Sequence, residues 1–305
     1  MRILVCGASG QVGLELVGRA GAYGLEALGV TREQLDITDS HRVANLVDQY
    51  RPGLIINAAA YTHVDNAEKQ SEQAYAVNRD GVTNLAEAAR QADIPLVHIS
   101  TDYVFSGEAD KPYRETDPVA PTGIYGASKL AGEVAIQAAL VRHVIVRTSW
   151  VYGVHGNNFV KTMLRLGQQR DALSVVADQF GCPTQAGSLA KALLQLAQRY
   201  AHEGTLAWGL YHYSGTPHCS WFDFAEEIFR QAAIKGLLTK TPQVSAITTA
   251  QYPTPARRPA WSVLACTKFE QAFGIAPSDW HDDLGEVLDA LAGRRAAEDQ
   301  RSAAI

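Results

Sequence analysis

The chain has 305 residues, of which 47% are hydrophobic and 19% are charged, a composition typical of a folded globular protein. A formal net charge of −5 and the lack of any Lys/Arg run exclude the basic surface needed to bind nucleic acid. No apolar stretch has the length of a signal peptide or a membrane span, so we expect a cytoplasmic protein with no membrane partner.

The first half of the chain alternates short β-branched apolar runs with longer amphipathic stretches. The runs predict strands at residues 3–6, 25–30, 54–58, 96–100 and 144–147. Parallel neighbours cannot be joined by tight turns, so helices are expected to cross between them. The pattern predicts an α/β fold with a doubly wound parallel Rossmann sheet over residues 1–152.

After residue 152 the alternation loosens. Helices are predicted at residues 158–169, 187–200 and 221–233, separated by irregular segments rich in Pro, Gly and Thr. We interpret residues 153–293 as a smaller mixed α/β substrate-binding region, interleaved with the first domain. The polar, alanine-rich residues 294–305 are expected to form a flexible tail.

A glycine-rich turn follows the first predicted strand. Residues 7–13, with the sequence GASGQVG, place Gly7, Gly10 and Gly13 between a strand and a helix. In a dinucleotide-binding turn these glycines allow the turn, the approach of a pyrophosphate and close helix packing. The N–H groups of the helix then face the anion. An ordinary close-packed turn is the alternative, but the position in the first βαβ unit favours dinucleotide binding.

The ends of the second and third strands carry further candidate cofactor residues. Where an NAD-specific enzyme usually has an acid, this chain has Arg32, which favours NADPH or dual use unless it is simply a solvated side chain. Asp36 or Asp39 could cap the next helix. The small residues 58–60 either leave room for a cofactor or pack tightly at the strand end.

Three residues predict acid–base chemistry on a carbonyl group. Thr101 ends the fourth strand, and Tyr125 and Lys129 lie one turn apart on a predicted helix. A phenol titrates near 10, and we expect the neighbouring lysine cation to stabilise its anion. Tyr125 would protonate the alkoxide formed by hydride transfer, Thr101 would orient the carbonyl, and Lys129 would bond the nicotinamide ribose. A Tyr and a Lys four residues apart are common on exposed helices, so this hypothesis depends on the whole set.

Longer motifs make a family resemblance specific. The chain resembles the dTDP-4-dehydrorhamnose reductases, which are extended short-chain dehydrogenases/reductases, along nearly its whole length. The motifs are at residues 7–13, 57–60, 100–105 (STDYVF), 125–133 (YGASKLAGE), 147–152 (RTSWVY), 156–164, 178–184 and 252–259. The resemblance implies reduction of the 4-keto group of dTDP-4-dehydro-6-deoxy-L-mannose (dTDP-4-dehydro-L-rhamnose) to dTDP-L-rhamnose, with hydride from NADPH or NADH.

The motifs and the resemblance together give the expected site residues. Those for the cofactor are Gly7, Gly10, Gln11, Val12, Gly13, Arg32, Asp36, Ile37, Ala58, Ala59, Ala60, Tyr61, Thr62, Tyr125 and Lys129. Those for the sugar nucleotide are Thr101, Asp102, Tyr103, Trp150, Asn158, Gln179 and one of Arg257 and Arg258. An arginine fork suits a pyrophosphate, whereas Trp150 could equally be a core residue and Asn158 a helix cap.

A divalent metal such as Mg²⁺ is not expected. The resemblance implies a metal at a dimer contact, held by Glu15 and acids in residues 185–191, but that stretch has no acid here. One carboxylate offers too few oxygen ligands. The four cysteines, Cys6, Cys182, Cys219 and Cys266, are widely spaced and predict reduced, mostly packed thiols. After Pro259 the family pattern predicts a small polar residue, and this chain has Trp261 there. The sequence leaves open whether the chain forms a homodimer.

Two other functions fit parts of this pattern. A sugar-nucleotide dehydratase or epimerase could share the fold, but a dehydratase usually carries Asp-Glu after the threonine, and this chain has Asp102 and Tyr103. A non-catalytic subunit that binds NADP to regulate a partner would not need to keep Thr101, Tyr125 and Lys129 together. Both alternatives are therefore ranked below the reductase.

Overall fold

The computed structural model describes the backbone of residues 1–303 and the side chains of residues 1–294. Its strands are β1 (Arg2–Cys6), β2 (Glu26–Val30), β3 (Leu54–Asn57), β4 (Leu96–Thr101), β5 (His143–Thr148), β6 (Val151–Tyr152), β7 (Ala172–Val176), β8 (Phe180–Gly181), β9 (Thr184–Gln185), β10 (Gly209–His212), β11 (Cys219–Ser220) and β12 (Gln243–Ile247). The first five confirm the predicted strands with small differences at their ends.

The helices follow the predicted crossovers. They are α1 (Gln11–Arg19), α2 (Ser40–Tyr50), α3 (Val64–Ala67), α4 (Ser71–Tyr75), α5 (Val82–Gln91), α6 (Ile124–Ala139), α7 (Phe159–Gln169), α8 (Ala186–Glu203), α9 (Trp221–Ile234), α10 (Thr267–Phe273) and α11 (Trp280–Ala303). A π-helical turn, Ala76–Gly81, joins α4 to α5. No described helix is both long enough and apolar enough to span a membrane.

The main sheet has six strands in the order β10-β5-β4-β3-β1-β2, and every neighbouring pair is parallel. From β1 the chain moves to one side to form β2 and then returns to the other side to form β3. In doubly wound sheets, ligands bind beyond the carboxyl ends of the strands at such a reversal. The α/β Rossmann architecture is therefore confirmed, and the reversal lies beside the glycine-rich turn.

Alternation along the strands divides the core into two layers. Ile3 and Val5 of β1 face a layer that includes α1 and α8, whereas Leu4 and Cys6 face a layer that includes α2, α5 and α6. The inner strands β1, β3, β4 and β5 are thus buried on both faces, which explains their continuous apolar runs in the sequence. All four cysteines are unpaired and buried, as predicted.

The later part of the chain forms a second apolar cluster from α7, α9, α11 and β7. Its strands form three two-stranded pairs, β6 with β9, β7 with β12 and β8 with β11. Although α8 and β10 lie within residues 153–293, they belong to the main sheet and its helical layer. A domain boundary at residue 152 stays a prediction. Flexibility of the tail, residues 294–305, also stays a prediction. Helix α11 continues to Ala303, and residues 304–305 lie outside the described chain.

Candidate active site

A cleft of about 910 Å³ opens at the carboxyl ends of the strands of the main sheet. Eighteen of the predicted site residues line it. They are Gly7, Gly10, Gln11, Val12, Arg32, Asp36, Ile37, Ala58, Ala59, Ala60, Tyr61, Thr62, Thr101, Asp102, Tyr103, Tyr125, Lys129 and Trp150. Residues distant in sequence therefore meet at the reversal in strand order.

The glycine-rich turn shapes one end of the cleft. Gly7 has φ +79°, and a Cβ there would lie 2.6 Å from the backbone nitrogen of Ala59. Gly13 does not line the cleft, because it packs against the carbonyl of Gly7 beneath the turn. Helix α1 begins at Gln11, and the residue at its N-cap position, Gly10, has no side chain that could accept a hydrogen bond from the first turn. The first N–H groups of the helix are therefore available to an anion.

The end of β2 places an exposed cation at the rim of the cleft. The Arg32 side chain is 67% exposed and lies 3.9 Å from the Asp36 carboxylate. Of the two aspartates considered as caps, Asp39 accepts the backbone N–H of Arg42 at 3.0 Å and begins α2. Asp36 instead accepts the N–H and hydroxyl of Thr38, and it stays at the cleft beside Arg32.

Helix α6 holds Tyr125 against the end of β4. Gly126 permits this approach, because a Cβ at that position would lie 2.1 Å from the carbonyl oxygen of Tyr103. At the start of the helix, the Glu68 carboxylate accepts the N–H of Ile124 at 2.8 Å, which satisfies one of the free donors of the first turn. The glycine after Tyr125 is therefore a packing requirement of the site.

Tyr125 is half-buried at the cleft, and its phenol interacts with Thr101. Burial raises its pKa above the usual value, the Thr101 hydroxyl lowers it, and the Asp102 carboxylate and the Tyr103 phenol raise it. The ring of Tyr103 contacts that of Tyr125 edge to face at 5.5 Å. Burial is the first cause of the raised pKa, and stabilisation of the phenolate by Lys129 stays a prediction.

Lys129 points into the sheet. Its Nζ donates to the carbonyl of Ile99 at 2.7 Å and lies 3.3 Å from Nε2 of His98. Burial lowers the pKa of Lys129 to about 8, and the Glu133 carboxylate opposes that shift. The amine of Lys129 is therefore engaged by β4.

Asp102 is buried at the base of the cleft. One oxygen accepts the Thr101 hydroxyl at 2.9 Å, and Oδ2 has no hydrogen-bond partner among the described residues. Burial raises the pKa of Asp102 to about 7, and the Thr101 hydroxyl acts in the opposite direction. Near neutral pH this carboxyl group can therefore exist in either protonation state.

Asp102→Asn is expected to stabilise the folded chain above pH 7. The folded-state pKa of about 7 exceeds the unfolded value near 3.9, so the folded chain binds more protons between these values and stability falls as pH rises through that window. The variant removes a cost on the order of a few kcal/mol at high pH. Urea unfolding at pH 5 and pH 8 measures it, with exposed Asp48→Asn as control; equal gains in both variants would contradict burial as the cause.

A model of the family described as RmlD substrate binding domain matches residues 1–292 of the chain. The chain belongs to that family. Two similar relatives are named dTDP-4-dehydrorhamnose reductase. The one from Aggregatibacter actinomycetemcomitans is 47% identical over 94% of this chain and 98% of the relative, and the one from Escherichia coli K12 is 42% identical over 95% and 98%. The resemblance drawn from the motifs is confirmed.

Solved structures of RmlD-family proteins agree with the fold. A dTDP-4-dehydrorhamnose reductase from Clostridium acetobutylicum has a TM-score of 0.89 at 40% identity and covers 95% of this chain and 99% of its own. The enzyme of the same name from Bacillus anthracis, solved in complex with NADP, has a TM-score of 0.87 at 38% identity with the same coverage. The similarity thus spans both the main sheet and the later region.

Several residues expected at the substrate do not line the cleft of this RmlD-family chain. Asn158 caps α7 by accepting the N–H of Lys161 at 3.1 Å, and it donates to Gln11 at 2.9 Å. The amide of Gln179 is buried and donates to Thr249 at 3.0 Å. Asn158 therefore fulfils the capping alternative, and its contact with the cleft runs through Gln11.

The two arginines of the proline-rich loop differ in position. Arg257 pairs with Glu108 at 3.0 Å on the surface. Arg258 pairs with Asp65 at 3.0 Å and lowers the pKa of Tyr103, although burial raises that pKa to about 12 overall. Its Nε is buried without a hydrogen-bond partner among the described residues. Arg258 is therefore the arginine next to the cleft.

Trp150 lines the cleft and also packs against the second apolar cluster. Its backbone has φ +49°, an unusual value for a bulky residue, and its ring stacks on Trp221 at 3.5 Å. Such strain is typical of functional sites. Trp261, the departure noted after Pro259, donates to the carbonyl of Lys111 and packs near Phe180, away from the cleft lining.

Sequence reasoning missed polar residues that line the cleft. They are Ser9, His63, Asn66, Gln70, Gln73, Ser100, Thr148, Ser149 and Asn157. The segment after β3 supplies four of them. Polar residues directly after the small residues at a strand end could have predicted that this segment lines the cleft. At the doubtful metal position, Glu15 pairs with Arg19 at 2.7 Å, and the described residues include no cluster of three or more His, Cys, Asp or Glu suited to a metal.

Proposed function

We propose that this chain reduces the 4-keto group of dTDP-4-dehydro-L-rhamnose to dTDP-L-rhamnose with NADPH. The observation that carries the proposal is the meeting of Thr101, Tyr125 and Lys129 in one cleft with the glycine-rich turn. The names of the relatives support the substrate, and the NADP complex of a structural relative supports the cofactor. Bound NADPH would supply the hydride.

The protein groups then divide the remaining work. Tyr125 keeps its proton at neutral pH because burial raises its pKa, and that protonated form is the one that can donate to a developing alkoxide. Thr101, which interacts with the same phenol, is placed to hold the carbonyl oxygen beside it. Lys129 would bond the nicotinamide ribose, and the wall formed by Trp150 would support the sugar.

The cofactor hypothesis fits the residues present. The uncapped first turn of α1 faces the cleft and suits a pyrophosphate. At the rim, Arg32 is free enough to meet a 2′-phosphate, which a planar guanidinium binds well. These two features would hold the pyrophosphate and the 2′-phosphate on the neighbouring adenosine ribose of NADPH.

Product identification tests the proposal directly. The protein is incubated with NADPH and freshly generated dTDP-4-dehydro-L-rhamnose, and NMR is expected to identify dTDP-L-rhamnose with one NADPH consumed per product. A dehydratase or epimerase would convert a sugar nucleotide without net NADPH oxidation. A non-catalytic regulatory subunit would bind NADPH and leave it reduced, so each rival predicts a different result.

Arg32→Ala is expected to raise the KM for NADPH about tenfold and leave that for NADH within about twofold, because only NADPH presents a 2′-phosphate to the guanidinium. Arg42→Ala is the matched control, since Arg42 bonds the carbonyl of Gln34 and does not line the cleft. Steady-state kinetics with both cofactors measures the effect. An unchanged NADPH KM in Arg32→Ala would remove this basis for cofactor preference.

Two wider parts of the proposal stay predictions. The reaction is proposed to take place in the cytoplasm. A homodimer is the proposed assembly, and sedimentation of the full chain at several concentrations would measure it.

A further inference from the structure

A buried polar row runs from the main sheet to the site. Asn57 of β3 and His98 of β4 are register partners, and Nδ2 of Asn57 lies 3.0 Å from Nδ1 of His98. On the other side of the ring, Nε2 lies 3.3 Å from Nζ of Lys129. All three side chains are buried, so each polar atom depends on these neighbours.

The orientation of Asn57 fixes the tautomer of His98. Oδ1 of Asn57 accepts the backbone N–H of Ala59 at 3.0 Å, and a backbone N–H can only donate. The amide NH2 must therefore face His98, whose Nδ1 has to accept. Burial lowers the pKa of His98 well below its usual value, with the charge of Lys129 acting in the same direction. The neutral ring thus carries its proton on Nε2.

This tautomer presents a donor to Lys129. A neutral amine can accept the Nε2–H of His98, whereas an ammonium has only hydrogens to offer. The carbonyl of Ile99 accepts from Nζ in either state. The charged group that acts on Lys129 is Glu133. Its carboxylate favours the ammonium form, but it already accepts hydrogen bonds from Arg147 and Ser100.

Groups on the cleft side act on Tyr125 rather than on Lys129. Tyr125 lies one turn earlier on α6, and Asp102, from the turn after β4, raises the pKa of the phenol. His98 is therefore the polar group that opposes the charge of Lys129 from the sheet.

We propose that His98, held as its Nε2–H tautomer by Asn57, is a positioning residue that donates to the Lys129 nitrogen and so favours the neutral amine over the ammonium. A lysine that can lose its proton suits acid–base work. The inference rests on the proposed reductase function, in which Lys129 lies one helical turn from the reacting phenol.

The tautomer is measured without any turnover. Nitrogen NMR of the full chain with isotope-labelled histidine is expected to show His98 neutral and protonated at Nε2 across neutral pH, with the resonance assigned by its loss in His98→Gln. A ring protonated at Nδ1, or a charged ring near pH 7, overturns the proposal.

Two variants then test the effect on Lys129. The amide of an asparagine at position 98 lies near the place of the histidine Nδ1 and keeps the contact with Asn57. The longer glutamine places its amide near the position of Nε2 and keeps a donor at Lys129. His98→Asn is expected to move the alkaline limb of the kcat/KM profile up by about one pH unit, and His98→Gln to leave it near the wild-type position. Equal movement in both variants, or none in His98→Asn, overturns the proposal.

The two measurements separate this inference from the proposed function. If the wild type fails to oxidise NADPH with the dTDP-linked ketone, the reductase proposal fails while the tautomer can still be read. If turnover is normal and the tautomer is Nδ1–H, only the role of His98 fails. Should His98→Asn not fold, the NMR result on the wild type decides.

Discussion

Tyr125→Phe is expected to lower kcat for reduction of the dTDP-linked ketone by roughly 10²–10⁴-fold, because it removes the only atom of this side chain that can protonate an alkoxide. The ring remains, so its edge-to-face contact with Tyr103 at 5.5 Å is kept. NADPH affinity should therefore stay within about twofold of wild type. Stopped-flow oxidation of NADPH and cofactor titration measure the two effects.

Tyr103→Phe is the matched control. It removes a second phenol from the same cleft, one that interacts with Arg258 rather than with Thr101. The loss should appear mainly in KM, since this hydroxyl has no proton to give to the reacting oxygen in the proposed mechanism. A fall in kcat as large as that of Tyr125→Phe would show that the two tyrosines had been assigned the wrong roles.

Much of the fold could be predicted because the main sheet is parallel and buried on both faces. Its first five strands are apolar runs rich in Val, Ile and Leu, the pattern that such burial requires. β10 was not predicted, because its four residues, Gly209–His212, do not form an apolar run. Its place beside β5 depends on the return of a distant part of the chain to the sheet edge.

The candidate site could be predicted where residue type itself indicates chemistry. Thr101 and Tyr125 stand out for that reason, and the parallel sheet explains why they meet. His98 could not be predicted, because a single histidine between Val97 and Ile99 looks like part of an ordinary strand. Its meaning comes from the register that sets it opposite Asn57, and register between distant strands is a tertiary property.

Packing also explains why the pKa argument from sequence was incomplete. Spacing on a helix places Lys129 one turn from Tyr125, but it does not give the direction of a long side chain. In the folded chain the ammonium donates to β4, and burial controls the pKa of the phenol. Desolvation disfavours the phenolate, and it is the largest cause of the raised pKa of Tyr125. The consequence for the proposed reaction is favourable, since the donor stays protonated.

Behind the site, a buried ion pair joins α6 to the main sheet. Glu133 of α6 accepts two hydrogen bonds from Arg147 of β5, at 2.9 Å and 2.6 Å, and one from Ser100 of β4. Both charged side chains are almost fully buried. The guanidinium also lies 5.0 Å from the centre of the Phe105 ring. The pair therefore fixes the helix that carries Tyr125 and Lys129.

Arg147→Met is expected to lower the free energy of unfolding by about 3–5 kcal/mol, because Glu133 would be left as a buried charge without its partner. The double variant Arg147→Met/Glu133→Leu should recover most of that loss, since it removes both charges and keeps apolar volume. Guanidinium unfolding of the single and double variants measures the coupling. Losses that simply add in the double variant would mean that the two charges do not stabilise one another.

The pair of Arg230 and Glu227, whose carboxylate side chain is 16% exposed, is the control for this comparison. It has the same two-point geometry, with distances of 2.7 Å and 2.6 Å, but the arginine side chain is 61% exposed. Arg230→Met should cost less than about 1 kcal/mol, because water replaces the lost partner. The two pairs thus have similar two-point hydrogen bonds but differ in burial. A large difference between Arg147→Met and Arg230→Met can therefore be attributed to desolvation of the charge left behind at Glu133.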